Sequence, residues 1–320
     1  MSRLFWPHLV SLALASASVT ACGEANAAPG GQEDSVADDR GGVHNVLPSR
    51  ARVVSLVPGI TETLLAIGAA EVLLARTRFD EQDQLAHLPS VGGGLDPSLE
   101  YLASLDPELV IMWRDPGGSG SLSAGLEDLG IAAYQVDVQE FADFRRHARN
   151  VGRLTGRAPE AEALVGELDQ ALNDVRRAVA GLPAPGVLYL VQSSPPMGVG
   201  PGTFLDSLIV VAGGRNILRE ASGRWPLLSL EDILWRDPGY VVVPVVDYGA
   251  PDGAIDAMPE PLRRLATEPG WAEVGAVRGG RLVAVDAALF GRPGPRMAEA
   301  ARFLAERLHP EAFVADSPSP

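Results

Sequence analysis

The residues of this chain that could do chemistry are aromatic side chains at the ends of predicted strands. Phe79, Trp113, Trp225 and Phe290 each follow a strand or lie on a loop between the two halves of the chain, and aromatic residues make up only 6% of the sequence. Flat rings at such positions can hold a flat ligand by stacking and apolar contact. Alternatively, each ring belongs to the core of its own half.

No catalytic motif accompanies these rings. The sequence has no zinc-protease helix motif, hydrolase nucleophile turn, phosphate-binding loop or Cys-x-x-Cys pair, and its 5 histidines are scattered. The chain is therefore predicted not to be an enzyme and to hold no metal or cofactor of its own. Gly93 and Gly94 belong to a triple-glycine loop without the dinucleotide-binding pattern. The loop is either a place where a bulky ligand approaches bare backbone or a plain turn.

Alternating strands and helices are predicted to position these residues. Val53–Val57 and Leu109–Trp113 have the apolar, β-branched character of buried strands. After the first strand, Pro58 and Gly59 are predicted to interrupt the chain, and Thr61 to cap the helix that follows. Strand–helix alternation predicts parallel strands, and ligands bind beyond the carboxyl ends of such strands. The aromatic residues and the glycine loop are thus placed along one edge.

The length of the chain predicts two lobes. A chain of 320 residues with 46% hydrophobic content exceeds the comfortable size of a single core. Apolar residues recur at helical spacing within 158–182, which predicts a helix about 33 Å long at about 1.5 Å per residue. This helix joins two predicted α/β lobes, 51–157 and 183–310, which a tail at 311–320 follows. Alternatively, it is an ordinary surface helix of one large domain.

The N-terminal sequence predicts export from the cytoplasm. An apolar stretch, Leu9–Val19, is too short to span a bilayer stably. Small residues follow it and precede Cys22, the only cysteine of the chain, which is typical of a lipoprotein cleavage site. The alternative is ordinary cleavage after Ala27. The sequence therefore predicts a signal peptide over 1–22, a lipid on Cys22 and a flexible tether over 23–50.

Five segments of the sequence share the spacing of one known family: VVSLVPGITETLLAIG, LPSVGGGLDPSLEYLASLDPELVI, GGRNIL, RWPLLSLEDILWRDP and FGRPGPR. In this order, the segments resemble the periplasmic ligand-binding proteins of ABC importers for cobalamin, haem and ferric siderophores. The resemblance covers 52–309. It implies two Rossmann-like α/β lobes joined by a single long rigid helix, with a ligand cleft between the lobes and little lobe closure. It also implies a monomer that delivers its ligand to a permease dimer in the membrane.

The same resemblance assigns ligand contacts to individual residues. Trp225 matches the position of a tryptophan that contacts cobalamin in the family. Phe79 lies between Arg78 and Asp80 in the loop where family members contact ligand, and cobalamin-binding members offer a tyrosine nearby. The resemblance implies that Arg292 faces the cleft, where it can bind a carboxylate or an amide rim of the ligand. Alternatively, Arg292 belongs to a surface loop. The predicted ligand-binding residues are Arg78, Phe79, Asp80, Gly93, Gly94, Trp113, Trp225, Phe290 and Arg292.

Two glutamates occupy corresponding places in the two halves. Glu100 ends the segment PSLE and Glu231 ends the segment LSLE, so each is predicted to open a helix. The resemblance implies that one glutamate on each lobe docks to arginines of the permease dimer. Alternatively, an acid in a first helical turn only interacts favourably with the helix dipole.

The sequence therefore predicts an exported, lipid-anchored substrate-binding protein of an ABC importer, with a corrinoid such as cobalamin as ligand. Haem would require a tyrosine or histidine axial ligand. A ferric siderophore would require several arginines, for which the candidates are Arg76, Arg78, Arg114, Arg215 and Arg292. Alternatives of another class are an enzyme on the same scaffold and a protein that senses the ligand without delivering it. The formal net charge of −15 argues against nucleic acid and against a polybasic membrane patch.

Overall fold

The computed structural model describes residues 35–48, 50–115, 117–118, 121–246 and 258–313. The predicted signal peptide, Cys22 and the first part of the predicted tether lie outside these ranges. Within them, no helix combines the length and the apolar character needed to cross a membrane.

The first lobe is a parallel four-stranded sheet between two layers of helices. In spatial order the strands are β4 (Leu73–Ala75), β3 (Val53–Ser55), β5 (Leu109–Trp113) and β6 (Ala132–Val136). The helices are α1 (Pro58–Ala66), α2 (Leu99–Ser104), α3 (Leu122–Asp128) and α4 (Phe141–Leu154). Alternate residues of β5 face the two layers, with Ile111 in one apolar cluster and Met112 in the other.

The second lobe repeats this arrangement around a mixed sheet. The parallel strands are β7 (Gly186–Ser193), β10 (Tyr240–Val245) and β11 (Leu282–Asp286), joined at the β7 edge by β8 (Pro196–Gly198) and β9 (Arg215–Asn216). The helices are α6 (Phe204–Val211), α7 (Leu230–Arg236), α8 (Glu260–Thr267), α9 (Gly275–Arg278), α10 (Ala287–Gly291) and α11 (Met297–Leu308).

Helix α5 (Ala158–Ala178) lies between the lobes in sequence and packs against both. Its buried residues belong to one apolar cluster that also contains residues of α4 and α11. Its 21 residues give a length of about 32 Å at about 1.5 Å per residue. The predicted α/β fold with two lobes and a long connecting helix is therefore confirmed.

Helix α1 begins earlier than predicted. Pro58 lies in its first turn, and Val57 precedes it without a side-chain cap. Thr61 is buried within the helix, where its hydroxyl lies 2.9 Å from Ser55 Oγ. Proline suits the first turn because its missing N–H would have no partner there. The prediction that Thr61 caps the helix is therefore wrong.

Part of the predicted tether is an ordered hairpin. Strand β1 (Ser35–Ala37) pairs antiparallel with β2 (Val43–Asn45). The Asp39 N–H donates to the Gln135 carbonyl at 3.0 Å, and the Asp38 carboxylate accepts from the Gln135 N–H at 3.1 Å. The hairpin thereby covers the outer edge of β6, which would otherwise expose unpaired backbone groups. The tether prediction is wrong for this segment.

A buried polar cluster joins the hairpin to α4. His147 is fully buried; its Nε2 lies 2.7 Å from Asp39 Oδ2, and its Nδ1 lies 2.9 Å from the Tyr134 hydroxyl. Burial lowers the pKa of His147, because a charged imidazole would lose its hydration there, and the Asp39 charge only partly opposes this effect.

We expect acid to destabilise the protein through His147. Because its pKa is lower in the folded protein, the unfolded chain binds the proton more readily. The free energy of unfolding should therefore fall below about pH 6.5, by at most about 1.4 kcal/mol per pH unit. Urea denaturation at about pH 7.5 and about pH 5.5 measures this loss. The loss should shrink in His147→Gln but not in His87→Gln, which changes an exposed histidine; equal losses in both variants would contradict the expectation.

Candidate functional site

Among the described residues, a cavity of about 730 Å³ lies at the junction of the lobes. Segments that follow β3, β4 and β5 form one wall, and segments that follow β10 and β11 form the other. These are the carboxyl ends of parallel strands, where α/β sheets bind ligands. Of the predicted ligand-binding residues, those that line the cavity are Arg78, Phe79, Gly94, Trp113 and Arg292.

A smaller and more apolar cavity, of about 450 Å³, adjoins the first. Its apolar and aromatic lining includes Val138, Tyr189, Val191, Phe204, Leu205, Trp225 and Pro244. Both cavities share Trp113, Ala287 and Gly291. The two cavities therefore form one cleft, with Trp113 at their junction.

Two tryptophans line this cleft without being buried in a core. Trp225 is 46% exposed, so the alternative that it is a core residue does not hold. Trp113 is partly buried, packs against the apolar cluster that contains residues of both lobes, and lines both cavities. The cleft is thus lined by one indole ring from each lobe.

The loop after β4 presents Arg78 and Phe79 to the larger cavity. The guanidinium of Arg78 lies 4.9 Å from the centre of the Phe79 ring and 3.8 Å from the Asp96 carboxylate. Asp80 is buried, and its carboxylate accepts from the Thr77 N–H and hydroxyl, both at 2.7 Å. Burial raises the pKa of Asp80. Asp80 therefore shapes the loop from inside, which contradicts its predicted contact with ligand.

Phe290 is a core residue and not a cleft residue. It is 1% exposed, and its ring centre lies 6.3 Å from that of Tyr189 and 6.1 Å from that of Phe303. Helix α10 turns Phe290 inward, while Ala287 and Gly291 of the same helix line the cleft. The predicted ligand contact of Phe290 is therefore wrong, and the core alternative holds.

In the triple-glycine loop, Gly93 and Gly94 lie in crowded surroundings within the first lobe. A Cβ atom at Gly94 would lie 2.3 Å from the Leu56 carbonyl oxygen. At Gly93, which is buried, a Cβ atom would lie 1.9 Å from the Asp96 carboxylate. The Leu56 carbonyl belongs to the backbone and cannot move aside, so glycine is needed at position 94 whatever approaches from the cleft. The Asp96 carboxylate is the end of an exposed side chain that can turn away, so packing alone does not require glycine at position 93.

Arg292 connects the second lobe to the first. Its Nη1 lies 3.5 Å from Glu62 Oε1 on α1, and both side chains are largely buried. Burial raises the pKa of Glu62, and the nearby Arg292 charge partly offsets this. Beside the pair, a Cβ atom at Gly59 would lie 2.0 Å from the Pro293 carbonyl oxygen. The lobes thus meet at the larger cavity through an ion pair and a close backbone contact.

Comparison with known proteins identifies the family. Residues 53–289 match the family described as periplasmic binding protein. The chain belongs to the periplasmic binding protein family. YvrC of Bacillus subtilis, named an uncharacterized ABC transporter substrate-binding lipoprotein, is 25% identical over 95% of this chain and 96% of its own length.

Two further relatives of this periplasmic binding protein carry the name of a ligand. A vitamin B12-binding protein of Pectobacterium carotovorum is 24% identical over 80% of this chain and 88% of its own length. The structure of the periplasmic haem-binding protein RhuT of Roseiflexus sp. RS-1, in apo form, has 26% sequence identity and a TM-score of 0.68, covering 82% of this chain and 99% of that chain.

These relatives are transport proteins and not enzymes. The chain is therefore a substrate-binding protein of the ABC importer family, which acts outside the cytoplasm, binds a small molecule and delivers it to a permease. This part of the prediction is confirmed.

The two glutamates of this periplasmic binding protein lie apart from the cavity lining. Glu100 and Glu231 are exposed in the first turns of α2 and α7, whose N-caps are Ser98 and Ser229. The segment just before each helix reaches the cleft, since Asp96 lines the larger cavity and Trp225 the smaller one. Each helix therefore begins near the cleft on its own lobe, and the docking role of the glutamates stays a prediction.

Sequence reasoning missed several residues of the cleft. Tyr189 lies inside β7, and only loops and strand ends were expected to face a ligand. Asp96 and Asp286 line the larger cavity, and Glu62 holds Arg292. Among these, Asp286 carried a usable signal, because it caps α10 by accepting from the Leu289 N–H at 2.8 Å.

Proposed function

We propose that this periplasmic binding protein captures a corrinoid, such as cobalamin, in the cleft and delivers it to an ABC permease. The observation that carries the proposal is the pair Trp113 and Trp225, which lines two adjoining cavities from opposite lobes. A corrin ring is a broad macrocycle, and indole rings offer it large, rigid contact faces. Each cavity alone lies within the usual size range of small-molecule sites, roughly 300–1,000 Å³, so the joined cleft suits a large ligand.

The polar lining supports the same ligand class. The larger cavity carries cations and carboxylates, Arg78 and Arg292 beside Asp96 and Asp286. The edge of a corrin ring bears amide side chains, which both accept from guanidinium groups and donate to carboxylates. A cleft with apolar faces and a mixed polar rim therefore matches a neutral, amide-edged macrocycle better than a ligand of high negative charge.

Haem is the second candidate, and one observation favours it. Tyr189 lines the smaller cavity although it is only 3% exposed, and haem iron can take a tyrosine ligand. Burial raises the pKa of Tyr189, which opposes the phenolate form that would bind ferric iron. Within the described part of the chain, the lining of the two cavities includes no histidine, cysteine or methionine. A corrinoid that is bound through contacts with its ring faces and its edge needs no side chain of the protein to coordinate its metal.

Gel filtration after mixing with equal amounts of cobalamin and haem tests the proposal. Cobalamin should elute with the protein. Elution of haem in its place, with an absorption spectrum that changes in Tyr189→Phe, would favour the second candidate and overturn the first.

The mechanism we propose is capture with little lobe closure. Helix α5 packs against both lobes, and the contact of Arg292 with Glu62 ties the lobes together beside the cleft. The ligand then enters between lobes that keep their spacing. Delivery follows when Glu100 and Glu231, one on each lobe, meet positive groups of the permease.

We also propose that a lipid on Cys22 anchors the protein. The relative YvrC is named a lipoprotein, and Cys22 itself lies outside the described residues. Cys22→Ser should release the protein from the membrane fraction, because the lipid supplies the attachment. Fractionation and the mobility of the processed chain measure this. Unchanged membrane retention with unshifted processing would remove the lipid anchor from the account.

A further inference from the structure

Helix α7 exposes an aromatic residue that the fold of the second lobe does not use. Trp235 is 81% exposed and Leu234 is 38% exposed, whereas Ile233 is fully buried in the apolar cluster of that lobe. Ile233 therefore attaches the helix to the lobe. A single exposed apolar side chain is ordinary, so the neighbours of Trp235 decide whether it has a role.

Trp235 lies on the same face of α7 as Glu231. Residues at positions i and i+4 of a helix lie one above the other, with Cβ atoms about 6 Å apart. Asp232 takes part in the helix cap with Ser229, whereas Glu231 makes no ion pair within the described part of the chain. The face thus combines an unpaired carboxylate with an exposed indole ring.

The side chain of Arg236 supports the Trp235 ring. The Arg236 guanidinium lies 5.7 Å from the centre of the ring, and its Nη1 donates to the Ile217 carbonyl at 3.0 Å. A ring that is supported in this way loses less conformational freedom when a partner covers it.

Exposed apolar residues occur both between the cleft and α7 in sequence and on α7 itself. Trp225 lines the smaller cavity, and Leu227, which follows it, is 67% exposed. Leu234 and Trp235 lie beyond it on the helix. Because α7 begins a few residues after Trp225, a protein that received the ligand from the cleft would lie near this helix.

We propose that Trp235, with Leu234 beside it, is the apolar anchor of the permease contact on the second lobe. This inference rests on the proposed function, because it assigns chemistry to the same docking event. The partner surface carries a cation opposite Glu231 and an apolar pocket opposite Trp235. Interfaces draw most of their affinity from a few buried aromatic residues, whereas exposed charge pairs mainly guide and orient the partners.

The two lobes differ in the residue that lies four positions after the glutamate. On α2, the residue four positions after Glu100 is Ser104, whose hydroxyl donates to the Tyr101 carbonyl at 2.7 Å. Tyr101, the aromatic residue of α2, is 37% exposed, which is less than half of the exposed fraction of Trp235. The second lobe therefore holds the permease more strongly than the first, although both present a glutamate.

Binding of the purified variants to the permease in lipid nanodiscs tests the proposal. Trp235→Ala should weaken binding about tenfold or more, the effect of removing a central aromatic anchor, and Trp235→Phe should restore most of it. Tyr101→Ala on α2 and Val210→Ala, which removes a 62% exposed side chain from α6, should change binding little. Cobalamin affinity and the thermal midpoint should stay at wild-type values in all four variants.

Wild-type permease binding by Trp235→Ala would overturn the proposal. The proposal would also be overturned if Trp235→Ala weakened binding to protein-free vesicles of the same lipids to the same extent, because the ring would then contact lipid. This vesicle measurement uses Cys22→Ser protein, so that no lipid anchor contributes. If the protein fails to bind cobalamin but its permease binding still depends on Trp235, the proposed corrinoid ligand is wrong, whereas the proposed role of Trp235 in permease binding is supported.

Discussion

Reversing both glutamates, with Glu100→Lys and Glu231→Lys in one chain, is expected to abolish uptake and leave ligand affinity unchanged. Each carboxylate is exposed in the first turn of a helix that begins near the cleft. A permease dimer that presents a cation to each lobe would meet a like charge at both contacts, which costs several kcal/mol. Neither glutamate lines the two cavities in the described residues, so the cleft should not sense the change. Uptake of labelled cobalamin in cells and calorimetry on the purified variant measure the two effects.

A matched control separates docking from helix stability. Glu160 and Glu260 also lie in first helical turns, of α5 and α8, and Glu160→Lys with Glu260→Lys changes the net charge equally. This control should transport normally, and either reversal alone at Glu100 or Glu231 should leave partial transport. Normal transport by the double reversal would show that the glutamates only start helices. A loss of ligand affinity would instead place them at the cleft.

Replacing Trp225 by alanine is expected to weaken ligand binding by about 1–3 kcal/mol, or roughly 5- to 150-fold. Trp225 lines the smaller cavity and is 46% exposed, so the substitution removes a contact face without opening a hole in the core. The thermal midpoint should therefore stay close to the wild-type value. Calorimetric titration and thermal denaturation measure both quantities.

Trp235→Ala is the matched control for this substitution. It removes the same side chain from the same lobe, but from α7 and away from the cavity lining. The two variants should show opposite defects, with Trp225→Ala weak in ligand binding and Trp235→Ala weak in permease binding. Wild-type ligand affinity in Trp225→Ala would show that Trp225 is a bystander at the cleft.

Local sequence patterns were sufficient to predict elements whose own sequence determines where they begin and end. Strand β5 has the predicted bounds, Leu109–Trp113, and helix α4, Phe141–Leu154, follows the periodicity of its own sequence. The first is a continuous apolar run and the second has a clear helical period that ends before Thr155 and Gly156. The same patterns placed Trp113 at the cleft, because strand ends of parallel sheets meet at one edge. Trp225 was placed there by its match to a tryptophan position of the family.

Local sequence patterns did not predict features that depend on contacts between residues far apart in sequence. Phe290 follows β11 as predicted, but the short helix α10, capped by Asp286, turns it into the core. The hairpin at Asp38 and Asp39 depends on hydrogen bonds to β6, nearly a hundred positions away in sequence. The pairing of Glu62 with Arg292 joins the two lobes, and no local signal marks it. Such contacts arise only once the lobes have folded and met.

Calorimetric titration of the mature protein tests the corrinoid assignment most directly. We expect saturable one-to-one binding of cobalamin, and of cobinamide, which shares the corrin ring. We also expect weaker binding of both by Trp225→Ala, and no saturable binding of haem or a ferric siderophore. Saturable binding of haem or of a ferric siderophore, with none of either corrinoid, would contradict the corrinoid assignment.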